Sequence, residues 1–221
     1  MVLIEGRRAL RTAIEAQADL ELVALRSDTE MDDLPAATPV YRLAPRAFER
    51  VTQTVTPQGV LGVARARAVD FAVALDAARG ARQPLVVLDG VADPGNVGAI
   101  CRSLVAAGLT ALVVLEGGAD PFSPKAVRAS AGLVFRLRVG RGARDDLSGL
   151  TGFGLSASGG QSLFLADLEG AEVLAFGSEA HGLTRSTLTP LTIPMASGVE
   201  SLNVAAAAAV VVFELARRRA A

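Results

Sequence analysis

From Val69 onward the chain repeats one pattern, a short and mostly apolar run followed by a stretch of helical character. The runs are Leu85–Leu88, Ala111–Leu115, Leu133–Leu137, Gly154–Ala157 and Val173–Phe176, and helical segments such as Pro94 to Ala107 and Ser123 to Ser130 separate several of them. A strand without polar alternation has no face to turn to water, and parallel neighbours need a crossover of a dozen or more residues. The pattern therefore predicts an α/β fold whose parallel sheet is covered by helices on both faces. A chain of 221 residues that is 51% hydrophobic can bury such a core, as one large or two small domains.

The first 66 residues read differently. A helix is expected from about Arg7 to Ala18 and a strand at Leu22–Leu25, followed by an acidic, Pro-bearing loop from Asp28 to Pro39. Tyr41–Leu43, a helix near Pro45 to Val51 and a strand at Gly59–Ala64 complete a small α/β unit. The stretch Thr52 to Gly59 has no apolar period and carries three Thr and two Gln, so it reads as a loop of uncharged hydrogen-bonding groups. At the other end, Ser201 to Arg219 reads as a helix of Ala, Val and Leu. It closes in Arg217-Arg218-Arg219, three cations that complement the macrodipole.

Formal charge is −1, so no basic surplus advertises nucleic acid; of the 22 cations, however, only Lys125 is a lysine. Arginine binds phosphate bidentately and stacks on bases, as lysine does not. One Cys and one His leave neither a disulfide framework nor a cysteine cluster for a metal, and no metal is expected. The N-terminus lacks the cationic start and apolar core of a signal peptide, and the longest apolar run, Val204 to Phe213, is far short of a membrane span. A cytoplasmic location is the expectation.

Gly152 to Ala157 matches G-x-G-x-x-A, but inside an expected strand rather than between strand and helix, which argues against a dinucleotide fingerprint. A Walker loop needs Gly-Lys, and the sole lysine follows Pro124. A hydrolase triad would need His181 as base, and no G-x-S-x-G elbow is present. Three clusters remain, each where a strand is expected to end. Asn96 and Arg102 lie about a turn and a half apart at a helix N-terminus, a place that suits an anion such as an RNA phosphate. Gly177-Ser178-Glu179-Ala180-His181-Gly182 ends the Val173–Phe176 strand, and Ile193-Pro194-Met195, ending the next apolar stretch, is followed by Ser201-Leu202-Asn203. Ligands of open α/β sheets sit beyond the carboxyl ends of the strands.

In this order the three clusters resemble the signature motifs of the SpoU (TrmH) family of RNA ribose 2′-O-methyltransferases. The first 66 residues, in particular Ile4-Glu5-Gly6 and Thr56-Pro57-Gln58-Gly59, resemble the small ribosomal-protein-like substrate-binding domain of many members. The resemblance implies residues 1–66 as an RNA-binding domain and residues 67–221 as a SPOUT catalytic domain, a parallel sheet tied in a trefoil knot that holds S-adenosylmethionine. By the same resemblance Asn96 and Glu179 would hold Arg102 and the ribose, and Ser201 and Asn203 would line the reacting centre. Backbone groups at Gly177, Ile193 and Leu202 would grip the adenosine, with Ser156, Ala157, Ser178 and Met195 nearby. A guanidinium is a poor base, so Arg102 is expected to clamp a phosphate and acidify the 2′-hydroxyl by its field. The implied partners are structured RNA, with ribosomal RNA favoured over transfer RNA, and a second copy of the chain packed through the final helix. A non-catalytic RNA-binding descendant, or an enzyme acting on a base nitrogen or on protein, stays open at this point.

Overall fold

The structure, a computed structural model, describes residues 1–178, 182–183 and 187–220. The first part holds β1 (Val2–Glu5), α1 (Arg7–Glu15), β2 (Asp19–Arg26), β3 (Val40–Leu43), α2 (Pro45–Val51) and β4 (Val60–Arg65). Its four-stranded sheet has the order β1-β4-β2-β3, antiparallel except where β3 joins β2. The helices and strands expected here are present, and β1 is an addition to them.

The second part runs β5 (Val69–Asp70), α3 (Phe71–Gly80), β6 (Leu85–Asp89), α4 (Pro94–Ala106), β7 (Ala111–Leu115), α5 (Pro124–Ala129), β8 (Arg138–Gly142), β9 (Gly152–Leu155), β10 (Gln161–Ser162), β11 (Val173–Gly177), β12 (Thr189–Thr192) and α6 (Val204–Arg219). Eight strands form one sheet in the order β10-β12-β9-β11-β6-β7-β8-β5. Every neighbouring pair in it is parallel. The period of two in a strand explains why the central strands are apolar throughout. Leu85 and Val87 of β6 pack with Phe71, Ala74 and Ala78 of α3, while Val86 and Leu88 pack on the opposite face with Ile100 and Leu104 of α4 and Val211 and Leu215 of α6.

Two sequence expectations are corrected. Leu133–Arg136 is a turn of 3-10 helix, not a strand, and the strand follows it as β8. The reason β8 does not look like a strand is packing: a Cβ on Gly140 would lie 2.9 Å from Ala74 Cβ and from Val113 Cγ2, and one on Gly142 would lie 2.8 Å from Phe71. Helix α3 presses on β8 too closely for side chains there. The C-terminal helix begins at Val204 rather than Ser201, so Ser201 and Leu202 lie in the preceding loop and Asn203 is the N-cap.

The two parts share one core. Ala9, Leu10 and Ala13 of α1 belong to the same buried cluster as Val127 and Val134 beyond α4. Arg136 Nη2 meets Glu15 Oε2 at 2.7 Å and Arg128 Nη1 faces Glu5 Oε2 at 3.6 Å across the seam. Among the described residues, no helix is long and apolar enough to cross a membrane.

Candidate active site

Strands β9, β11 and β12 end at one edge of the molecule, and a cavity of about 350 Å³ opens there. Ser156 and Ala157 line it just past β9, Gly177 and Ser178 at the end of β11, and Ile193 and Met195 past β12. Leu202 closes it from the loop before α6. All seven residues expected around a cofactor thus meet in one place, together with Ser201 and Asn203. Gly182, the end of the Gly177 to Gly182 cluster, lines it too, and three further lining residues were not singled out from sequence: Leu155, Val204 and Ala207. Val204 and Ala207 are i and i+3 on one helix face, a spacing that could have flagged them.

Local chemistry fixes this wall. The Ser156 N–H donates to Leu191 O at 2.8 Å, and Thr192 Oγ1 donates back to Ser156 O at 3.1 Å, so the turn after β9 is sewn to β12. Gly182 N–H donates to Ser178 O at 2.8 Å. A Cβ on Gly177 would collide with the Gly182 backbone and with Leu183 N, so only glycine lets these two backbone segments lie so close. Glu179 and His181, singled out from the sequence, lie outside the described residues.

Helix α4 starts with Pro94, and Asp93 is its N-cap, accepting from Gly95 N at 3.1 Å and from Lys125 Nζ at 2.5 Å. The lysine ammonium holds the Asp93 carboxyl below its ordinary range. Asn96 is therefore not the cap. Its Oδ1 instead accepts a 3.2 Å hydrogen bond from Asn203 Nδ2, while Asn203 Oδ1 caps α6 by accepting from Ala205 N at 3.0 Å and Ala206 N at 3.3 Å. One amide joins the N-terminal turns of two helices at the cavity rim.

Arg102 is placed elsewhere. It is the ninth residue of a helix of 13, not part of its first turn, and it lines a second cavity of about 380 Å³ between the two parts of the chain. Among the described residues it makes no ion pair. Its neighbour Cys101 is fully buried, and burial pushes that thiol up to about 12, which removes the only cysteine from chemistry at neutral pH. Sequence reasoning also passed over Asp89 at the end of β6, a buried carboxylate whose Oδ1 lies 2.8 Å from Arg144 Nη2. That contact raises the Arg144 pKa. The cue was Asp at the carboxyl end of an otherwise apolar strand.

The sequence model of the SpoU rRNA Methylase family matches residues 83–213, and that of the MRM3-like substrate binding domain matches residues 1–62. The 23S rRNA (guanosine(2553)-2'-O)-methyltransferase RlmP of Bacillus subtilis is 30% identical over 224 residues, covering 96% of this chain and 87% of its own. The 23S rRNA (guanosine-2'-O-)-methyltransferase RlmB of Xanthomonas axonopodis pv. citri is 36% identical over 194 residues, covering 81% of this chain and 78% of its own. Among solved structures, the SpoU methyltransferase AviRb of Streptomyces viridochromogenes in complex with the cofactor AdoMet superposes with a TM-score of 0.80 at 25% identity, covering 99% of this chain and 90% of that one. With residues 83–213 matched by the family model and a relative 30% identical over 96% of this chain, the chain belongs to the SpoU rRNA methylase family.

Proposed function

We propose that this protein transfers a methyl group from S-adenosylmethionine to a ribose 2′-hydroxyl of structured RNA, with ribosomal RNA as the substrate. The observation that carries this is the convergence of Ser156, Ala157, Gly177, Ser178, Ile193, Met195 and Leu202 on a single cavity beyond β9, β11 and β12. Its wall suits the cofactor: it is mostly apolar, with Leu155, Ile193, Met195, Leu202 and Val204 the larger side chains, its polar members are small, and the described wall carries no charged side chain. Bound there, S-adenosylmethionine would supply a methyl group, and its sulfonium would lose its positive charge as the methyl leaves, so an apolar wall does not oppose the reaction.

The protein's share is to position the hydroxyl and ease the loss of its proton. Arg102 holds an RNA phosphate beside the reacting ribose, and its field makes the hydroxyl a better acid. Asn203, tied to Asn96, presents Ser201 and itself at the mouth of the cofactor cavity, and Glu179 steadies Arg102 and the ribose. We assign residues 1–66 to RNA recognition and residues 67–221 to methyl transfer through a trefoil-knotted sheet, in the cytoplasm and without a metal.

The same reading makes the protein a homodimer. Ala206, Val210, Phe213 and Arg217 are exposed at i, i+4, i+7 and i+11 of α6, which draws a largely apolar stripe along the outside of the helix. Phe164 and Leu165, 59% and 80% exposed, lie on the turn that Arg218 bonds through the carbonyls of Leu163 and Ala166, beside the end of α6. Isothermal calorimetry with S-adenosylmethionine in metal-free buffer, followed by 2′-O-methyl mapping of total RNA from cells with and without the protein, tests the assignment. Stoichiometric binding and one or more protein-dependent ribosomal sites are expected. Absence of heat at millimolar cofactor would sink it.

A further inference from the structure

The second cavity is not accounted for by the cofactor. Its wall on one side is the Thr52 to Gln58 loop, and on the other α4 and the end of α5. The loop is pinned at both ends: Glu5 Oε1 accepts from Gln53 N at 2.5 Å, and Gln58 Oε1 accepts from Arg7 N at 3.1 Å. Thr52, Thr54 and Thr56 thereby line the cavity with uncharged side chains, the Thr52 hydroxyl donating to Glu49 O at 3.2 Å. Three exposed guanidiniums, Arg8, Arg102 and Arg128, complete the lining. Among the described residues Arg8 and Arg102 form no ion pair, and Glu5 is the one acid in the lining. The Glu5 side chain is 5% exposed, and among the described residues its Oε2 has no hydrogen-bond partner and sits 3.6 Å from Arg128 Nη1, too far for a hydrogen bond. The carboxylate thus places Arg128 at the cleft without engaging its donors.

In a chain of net charge −1, three arginines against one acid, the buried Glu5, around one cleft are a local excess that the whole does not have. We propose that Arg8 and Arg128 are positioning residues that, with Arg102, grip successive phosphates of the substrate strand as it passes between the two parts of the chain. The threonine hydroxyls meet its riboses and base edges. This rests on the RNA reading above and extends it to a path: the strand enters over α1, is held against α5, and delivers one ribose past Arg102 to the cofactor cavity. Guanidinium forks suit phosphodiester oxygens, which present two acceptors side by side.

The test measures binding of a protein-free 23S ribosomal RNA transcript across a KCl series, and steady-state methylation of the same RNA, for the full chain and for Arg8→Gln, Arg128→Gln and the double variant. Each single variant is expected to raise KM for RNA on the order of tenfold at low salt. Each is also expected to flatten the slope of log affinity against log salt by roughly 0.7–0.9. The turnover number at saturating RNA and the affinity for S-adenosylmethionine stay within about twofold. Arg8→Lys keeps the salt slope while recovering KM only in part. Wild-type KM and slope in the double variant overturn the proposal. So does a lower melting temperature for Arg128→Gln with an unchanged slope, which would make Arg128 only a partner for Glu5. If the wild-type protein neither binds nor methylates the transcript, the functional reading fails instead.

Discussion

Arg102 and Asn96 share a helix but not a face. Six residues at 3.6 per turn leave their side chains roughly 120° apart, so Asn96 turns to Asn203 at the start of α6 while Arg102 turns to the cleft between the two parts. The sequence motifs group both residues as candidates for one site; they do not show that the two side chains part toward different neighbours. The division makes the Arg102 prediction sharp. Arg102→Ala should abolish 2′-O-methylation while S-adenosylmethionine affinity stays within a few-fold of wild type, and Arg102→Lys should rescue little, because an ammonium keeps the charge and loses the fork. Calorimetry beside a methylation assay checks both; weakened cofactor binding would put Arg102 on the wrong ligand. Gly177→Ala should do the reverse. Its Cβ would collide with the backbone at Gly182 and Leu183, so cofactor affinity should drop by at least tenfold and stability by about 1–3 kcal/mol. A variant that binds the cofactor normally would mean that the two segments separate at little cost.

At the scale of elements, legibility followed the apolar pattern. Strands β6, β7 and β11 announced themselves because both their faces are buried, whereas β8 hid behind Gly140 and Gly142, whose emptiness is set by how closely α3 approaches. Strand β12, with Pro190 inside it, carries a residue that argues against a strand in any sequence reading. Helix α6 was legible as a helix but not where it begins, since its start depends on the side chain of Asn203. Asn203→Ala removes that cap and the bond to Asn96, and should cost about 1 kcal/mol of stability, read from urea unfolding, with a larger loss in methylation. At its far end Glu214 Oε1 and Oε2 hold Arg217 and Arg218, whose guanidiniums pull the carboxyl down to about 2. A depressed carboxyl stabilises the fold fully above its ordinary value of 4.5, and that contribution fades as pH falls toward 2. The acid limb of a stability–pH curve should therefore be shallower for Glu214→Gln than for the wild type between those values. Identical limbs would show that the pairing continues in the unfolded chain.

For the whole molecule the decisive fact is the shared core. The two sheets suggest two domains, and the sequence reads as two, yet Ala9, Leu10 and Ala13 lie in one cluster with Val127 and Val134. Apolar pattern tells which residues are buried and not which neighbour buries them, so this seam was invisible until the chain was folded. It carries a consequence for binding: α1 lines the second cavity through Arg8 and Ala9 and also packs on the parallel-sheet part, so the two parts should melt together. A ligand that binds only the native state raises its stability by RT ln(1 + [L]/Kd), about 2.7 kcal/mol at a hundred times Kd. In a chain of this length that corresponds to a rise in melting temperature of roughly 5–10 °C. Differential scanning calorimetry with saturating S-adenosylmethionine should show one transition displaced as a unit, although every residue assigned to the cofactor lies beyond residue 155. Two transitions, of which only the later moves, would mean that the seam is too weak to couple the parts and that the cleft between them closes only when RNA is bound.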